Sequence, residues 1–433
     1  MYRNSFNPVV ARLIATAILA TPQPIFSAEI PLLDRQVTIE QAISAAFEHH
    51  PQLRAALADI EAGRGELRGA ETYPFNPKLQ ANGASRSISG RTEADWSVRL
   101  SQEIELPAKR RRRVATANAG LSARTAGFDR QARVLAARVH TAFVTTLEAR
   151  DLLGVAEAEA EVVARVHDLA QRRLRRGATT QLELNLAEAE LGRAEGRLET
   201  VQGTYQTARI ELAETLGVNP LQPPVPSGTL EASKLRPASL DELASTALEN
   251  RADVLALRAF EQQSSAAHQL AQISAWPNVT LGAVAGREFE QDTIIGGRFS
   301  IPLPIFQRNQ GQIAVTRAEI ERTRAQRERG ELLALRELAA THAAYQAASK
   351  TAERLRARVF GTMQDNLKLL EKAFAAGKTT WSEVLVIRRS VIAAERELIG
   401  AEATARRAWI ALELAAGRMP VPTAEDRQKE TTP

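Results

Sequence analysis

A glycine, two threonines and a glutamate recur at one spacing in this sequence, as Gly177, Thr179, Thr180 and Glu183 and again as Gly377, Thr379, Thr380 and Glu383. The glycine suits the left-handed residue that ends a helix. Thr180 and Thr380 suit the cap of the next helix, and a glutamate three residues later completes a capping box by accepting from the cap's own N–H. Other reactive side chains offer less. His49 and His50 are adjacent, so on a helix they point about 100° apart, unlike the i,i+4 pair that grips a metal. The run AKRRRR, Ala108 to Arg113, has the charge of a nucleic-acid patch but no interleaved aromatic on which a base could stack. Cysteine is absent from all 433 residues, which removes disulfides, thiolate metal sites, cysteine nucleophiles and an N-terminal lipidated cysteine. Gly-rich phosphate loops, nucleophile elbows and metalloprotease helices are absent as well. The sequence predicts no enzyme, no metal site, no cofactor and no nucleic-acid partner.

A motif that ends one helix and caps the next needs long helices on both sides, and the composition supplies them. Hydrophobic residues make up 44% of the chain but aromatics only 5%, with alanine, leucine, glutamate and arginine dominant. The 56 basic and 51 acidic residues are thoroughly mixed, as on a solvated helix surface. Residues 1–28 read as a signal peptide: Arg3 and Arg12, the apolar run Leu13 to Ala20, then small residues ending at Ala28, with Ser27 as the alternative end. Beyond it no stretch of about 18 apolar residues occurs, so no transmembrane helix is expected.

The chain is written twice. TIEQAISAAFEHH from Thr38 answers to SLDELASTALENR from Ser239, and AETYPFNPKLQANG from Ala70 to QISAWPNVTLGAVAG from Gln272. VRLSQEIELPAKRRRRV from Val98 answers to GRFSIPLPIFQRNQGQI from Gly297. With the Gly-x-Thr-Thr element these landmarks keep an offset of 199 to 202 residues, the mark of tandem duplication. The expected organisation is a first repeat at 29–218, a Pro-rich linker at 219–238, a second repeat at 239–417 and a polar tail at 418–433. Each repeat reads helix, β-hairpin (about 78–106 and 278–305), very long helix, turn (near 177–180 and 377–380) and long helix. Proline is absent between Ala108 and Arg176, and ~68 helical residues extend roughly 100 Å. Helices that long must lie side by side; Leu355, Val359, Met363, Leu367, Leu370 and Phe374 step by three and four, and Leu198, Val201, Tyr205 and Leu212 by three, four and seven.

The strands alternate. Trp96, Val98, Leu100, Ile104 and Leu106 interleave with Asp95, Ser97, Arg99, Ser101, Glu103 and Glu105, and Phe299, Ile301, Leu303 and Ile305 interleave with Arg298, Ser300 and prolines. One apolar and one polar face is the pattern of a membrane barrel wall, with Arg99 and Arg298 on the polar, lumen-facing side. Four strands cannot close a barrel, so a homotrimer of twelve strands is expected, its helices forming a hollow cylinder. The fold class is mainly α with a small β part. A soluble periplasmic coiled-coil adaptor or scaffold is the competing reading, but it leaves the apolar hairpin faces unexplained.

In its order of landmarks the chain resembles the TolC family of outer-membrane efflux ducts. VTIEQAISAAFEHHPQLRAA, YPFNPKLQANG, WPNVTLGAVAG and GGRFSIPLPIFQRNQGQIAVTRAEIERT look like the heavy-metal, CzcC-like branch. That resemblance implies a trimer in the outer membrane of a Gram-negative cell, with a long periplasmic extension. It also implies a periplasmic adaptor and an inner-membrane RND pump as partners, and heavy-metal cations such as cobalt, zinc, cadmium or copper as cargo. Ducts for drugs or other small molecules share most of these words. In the family the turns meet the adaptor and acidic residues line the entrance, which makes Gly177, Thr179, Thr180, Gly377, Thr379 and Thr380 candidate docking tips and Glu183 and Glu383 candidate gate residues.

Overall fold

The computed structural model describes residues 36–88, 91–230, 238–288, 292–375 and 381–421. The expected signal peptide, part of the linker, the second turn at 377–380 and most of the tail lie outside them. Helices dominate: α1 (Ile39–His49), α2 (Pro51–Glu71), α3 (Pro107–Arg175), α4 (Gln181–Leu216), α5 (Leu240–Asn250), α6 (Ala252–Ile273), α7 (Gln310–Arg354), α8 (Gly361–Ala375) and α9 (Trp381–Ala415). Strands β2 (Lys78–Ile88), β3 (Arg91–Ile104), β5 (Val279–Glu288) and β6 (Asp292–Ser300) form one antiparallel sheet in the order β2-β3-β5-β6. A short parallel pair, β1 (Gln36–Val37) with β4 (Val225–Pro226), ties the start of the described chain to the linker.

Where a single opening helix was expected in each repeat, there are two. Capping boxes begin both, Thr38 with Gln41 and Ser239 with Glu242. The breaks fall at His50 and Arg251, which share extended backbone angles (φ near −68° and −67°, ψ 123° in both). In the first repeat Pro51 disfavours helix at the residue before it. The second repeat has no proline there. Instead the Arg251 guanidinium is held by Asp253 at 2.8 Å, Glu337 at 2.7 Å and the Ala415 carbonyl at 3.1 Å.

Each repeat closes on this break. Gly217 (φ 71°) and Gly417 (φ 70°) end α4 and α9 with Schellman bonds, Val218 N–H to Ala213 and Arg418 N–H to Glu413. A Cβ on Gly217 would lie 3.0 Å from the His50 backbone, and one on Gly417 would lie 2.9 Å from the Arg251 nitrogen. Glycine is required at both positions for its angle and for the approach it permits.

The main core lies around this docking point. Phe128, Leu135, Val139, Phe143 and Leu147 of α3 pack with Leu212 and Leu216 of α4, Phe47, Leu53 and Ile60 of α1 and α2, and Ile410 of α9. Each buried Leu or Phe contributes about 1.5–3 kcal/mol. Residues 128–147 are midway along the 69-residue α3, so the core sits roughly 30–60 Å from the sheet end of that helix. Towards the sheet, α3 packs on α2 and α6, and α6 on α7; towards the turns, α3 packs on α4 and α9, and α9 on α7 and α8. Both halves are walls of side-by-side helices. The second long helix differs from the first in one respect: a π turn, Leu355–Phe360, separates α7 from α8.

Gly217→Ala and Gly417→Ala should each lower stability by about 2 kcal/mol or more, because the new methyl adds a backbone clash to the strained angle. Gly177→Ala meets nothing within 4 Å and carries the angle alone (φ 65°), so its loss should be smaller. Urea midpoints followed by circular dichroism read the difference; equal midpoints for all three would contradict the docking role.

Candidate functional site

The first turn is fully described. Gly177 donates to Leu174 at 2.9 Å and Ala178 to Arg173 at 2.8 Å, ending α3 in a Schellman motif. Thr180 then caps α4, its hydroxyl accepting from Glu183 N–H at 3.3 Å. The expected box forms only by half. The Glu183 carboxylate accepts from the Thr179 hydroxyl, which the tight turn brings within reach, and not from the N–H of Thr180. Glu183 is therefore exposed at the tip beside Thr179. Glu383 is exposed in the first turn of α9, the matching place in the second repeat. In both helices a carboxylate near the N-terminus is favoured by the helix dipole.

Between the first helical hairpin, formed by α3 and α4, and α9 runs a groove of about 320 Å³, floored by Val162, Val166, Leu186, Val386 and Ile392 and edged by Glu183 and Arg173. A ladder of ion pairs fastens α9 to the first hairpin along this seam. Arg389 meets Glu190 at 2.9 Å, Arg396 shares Glu159 with Arg197, and Arg407 meets Glu148. Glu159 is the strongest rung, since its side chain is only 11% exposed and serves two guanidinium groups. Deleting it removes the shared partner of two guanidinium groups that are themselves partly exposed; the more exposed Glu190 pair contributes at most about 1 kcal/mol. None of these residues was singled out in the sequence. Their signal was the spacing of Arg389, Arg396 and Arg407, seven and eleven residues apart on one face of α9.

The register of the sheet fixes its faces. Arg99 stands opposite Gln80 and Val284, and Arg298 opposite Gly282, itself opposite Ser101. Directly paired residues share a face, so both arginines lie on the polar one, two strands apart. Neither forms an ion pair with another described residue. The opposite face carries Leu79, Leu100, Leu281, Ile295 and Phe299, all exposed. Val284 and Ile294 break the alternation by standing on the polar face. Both outer strands, β2 and β6, have one unpaired edge within the chain.

At the junction of sheet and helices the AKRRRR run is largely spent on protein partners. Lys109 donates to Asn278 at 2.7 Å, Asn278 to Glu103 at 2.7 Å, and Arg113 pairs with the buried Glu105. Burial pushes the Lys109 ammonium below its ordinary pKa, against the pull of Glu105 and Glu103. His50 serves as a cap, its Nδ1 accepting from Gln52 N–H at 3.2 Å. Burial holds its pKa down, with Glu214 opposing and Arg138 adding to the shift. No group of three or more metal-ligating side chains occurs among the described residues. No described helix is long and apolar enough to cross a membrane.

Over 385 residues the chain is 27% identical to the cobalt-zinc-cadmium resistance protein CzcC of Cupriavidus metallidurans, covering 86% of this chain and 88% of that one. It is 27% identical over 275 residues to the pyoverdine export outer membrane protein OpmQ of Pseudomonas putida, covering 59% and 56%. The fold is similar to that of the Campylobacter jejuni CmeC outer membrane channel, with a TM-score of 0.72 at 14% identity over 90% and 89% of the two chains. The outer membrane efflux protein profile matches twice, at residues 42–218 and 243–418, once per repeat and over most of the sequence, and the chain belongs to that family.

Proposed function

We propose that three copies of this chain form a passive exit duct, a twelve-stranded barrel in the outer membrane continued by a twelve-helix cylinder in the periplasm. The observation that carries the reading is the four-stranded sheet, with one exposed apolar face and two open edges. Lipid suits the face, but backbone groups left unpaired in lipid cost several kcal/mol each, so the edges must be closed by other copies. Two copies would make an eight-stranded barrel, whose interior side chains fill. Three leave a lumen, into which Arg99 and Arg298 project. The duct receives cargo from an inner-membrane RND pump through a periplasmic adaptor that meets the tips at Gly177, Thr179 and Thr180 and at Gly377, Thr379 and Thr380. It performs no chemistry on what passes.

Heavy-metal cations such as cobalt, zinc, cadmium or copper are the cargo favoured by the similarity to CzcC, which spans 86% of the chain. A duct for drugs or other small molecules is the second reading, favoured by the similarity to OpmQ. Deleting the gene should make cells more sensitive to cobalt, zinc and cadmium than to drugs, with resistance restored by complementation. Sensitivity to drugs alone would favour the second reading.

At the tips, Glu183 and Glu383 form an acidic mouth whose field draws in cations. Glutamine at both positions keeps a hydrogen-bonding side chain and removes the charge. The Glu183→Gln, Glu383→Gln pair should stay trimeric yet change conductance and cation block from the periplasmic side in bilayer recordings. Wild-type behaviour in that pair, with loosened tips only in the alanine pair, would reduce both residues to caps.

A further inference from the structure

Where the sheet meets the helices, the basic residues divide by what they touch. Arg110 and Arg113 reach the end of α2, on the carbonyls of Glu71 (3.1 and 3.2 Å) and Ala70 (3.1 Å). Lys109 and Arg112 reach the other side, on Asn278 and Gln269. Arg111 is exposed and makes no hydrogen bond or ion pair with any described residue. At about 100° per residue it points nearly opposite to Lys109 and Arg113. Those two serve Asn278 and Glu105, which continue the polar face of the sheet through Glu103. Arg111 is thereby turned away from those polar-face partners, into a surface cleft with Arg110, Glu71 and Val114.

The second repeat sets a cation at the corresponding strand-to-helix junction. Arg308 spends its Nε on the Pro304 carbonyl at 3.1 Å and is otherwise exposed. Beside it Phe306 is 88% exposed, at the end of the apolar series from Phe299 through Leu303 and Ile305. Trp276, 65% exposed, precedes the first strand of the same hairpin. Exposed aromatics near arginines that form no ion pair with a described residue, next to an apolar sheet face, match the headgroup level of a bilayer.

We propose that Arg111 and Arg308, with Trp276 and Phe306 beside them, bind the phosphodiester headgroups of phospholipids in the leaflet nearest the helices, two cations per chain. The inference rests on the reading of the sheet as a membrane wall. Continuity with the apolar face favours a lipid over a soluble phosphate, which would leave Phe306 and Trp276 uncovered. The positive charge complements the negative phosphate; Glu71 shares a surface cleft with Arg111, but neither Arg111 nor Arg308 forms an ion pair with a described residue.

The test uses the full-length protein in mild detergent, incubated with phosphatidylglycerol, washed, and assayed for phosphorus retained per chain. Each arginine near an anionic headgroup is worth about fivefold in affinity, so Arg111→Gln with Arg308→Gln should weaken retention by roughly 25-fold if the two act independently. Arg165→Gln, far along α3, should retain lipid as the wild type does. The pair Arg111→Lys, Arg308→Lys should keep most of the binding; loss as severe as with glutamine would overturn the proposal by pointing to misfolding. Unchanged retention in the glutamine pair overturns it, as does displacement of the lipid by excess inorganic phosphate, which marks a simple anion site. Flotation with vesicles separates the two ideas: protein that does not float removes the membrane reading itself, while protein that floats but retains lipid without these arginines removes only the collar.

Discussion

The open edges of one sheet govern the rest of the molecule. Within a chain, β2 and β6 each end in a row of N–H and C=O groups with no partner strand. In water such edges are an aggregation hazard, and in hydrocarbon each unpaired group costs several kcal/mol. Exposed side chains such as Leu79, Ile295 and Phe299 call for lipid on one face. Under the proposed function, both demands are met when the sheet is part of a closed wall.

On that reading, the helical part makes closing possible. Duplication gives each chain two near-equivalent staves, which allows an even curvature to be built from few copies. What keeps the staves in register is a set of small, specific contacts. Gly217 and Gly417 let the ends of α4 and α9 touch the breaks at His50 and Arg251. Glu159, Glu148 and Glu190 hold α9 against the first hairpin. These contacts bring the second repeat's Glu383 and the first repeat's Glu183 to neighbouring helix starts, where an acidic mouth becomes possible.

Much of this was legible because its signals are local. Period-two alternation around Arg99 and Arg298 marked the sheet faces, and Gly177 with Thr180 marked the first turn. Other features depended on partners remote in the sequence. The rung between Arg396 and Glu159 spans 237 residues, so no short window contains it. The break at Arg251 lacks the proline that marks its counterpart at His50, and it is held through Glu337 and Ala415. Glu183 was misread in a different way. Its capping partner was correct at the backbone, but its carboxylate found the Thr179 hydroxyl, a choice set by the geometry of the turn. The π turn at Leu355–Phe360 had no sequence mark that we can identify.

Closure between chains is the central claim, and cysteine pairs test it most directly. Within one chain β2 and β6 lie at opposite edges of the sheet, separated by two strands. At about 4.8 Å per strand spacing they stand roughly 14 Å apart, beyond the reach of a disulfide. The sequence has no cysteine of its own, so one cysteine scanned along β2 against one along β6 can link only between copies. The account predicts that some pairs in the membrane-embedded protein give covalent trimers on denaturing gels. Folded protein that yields only unlinked monomers across the whole scan would contradict it.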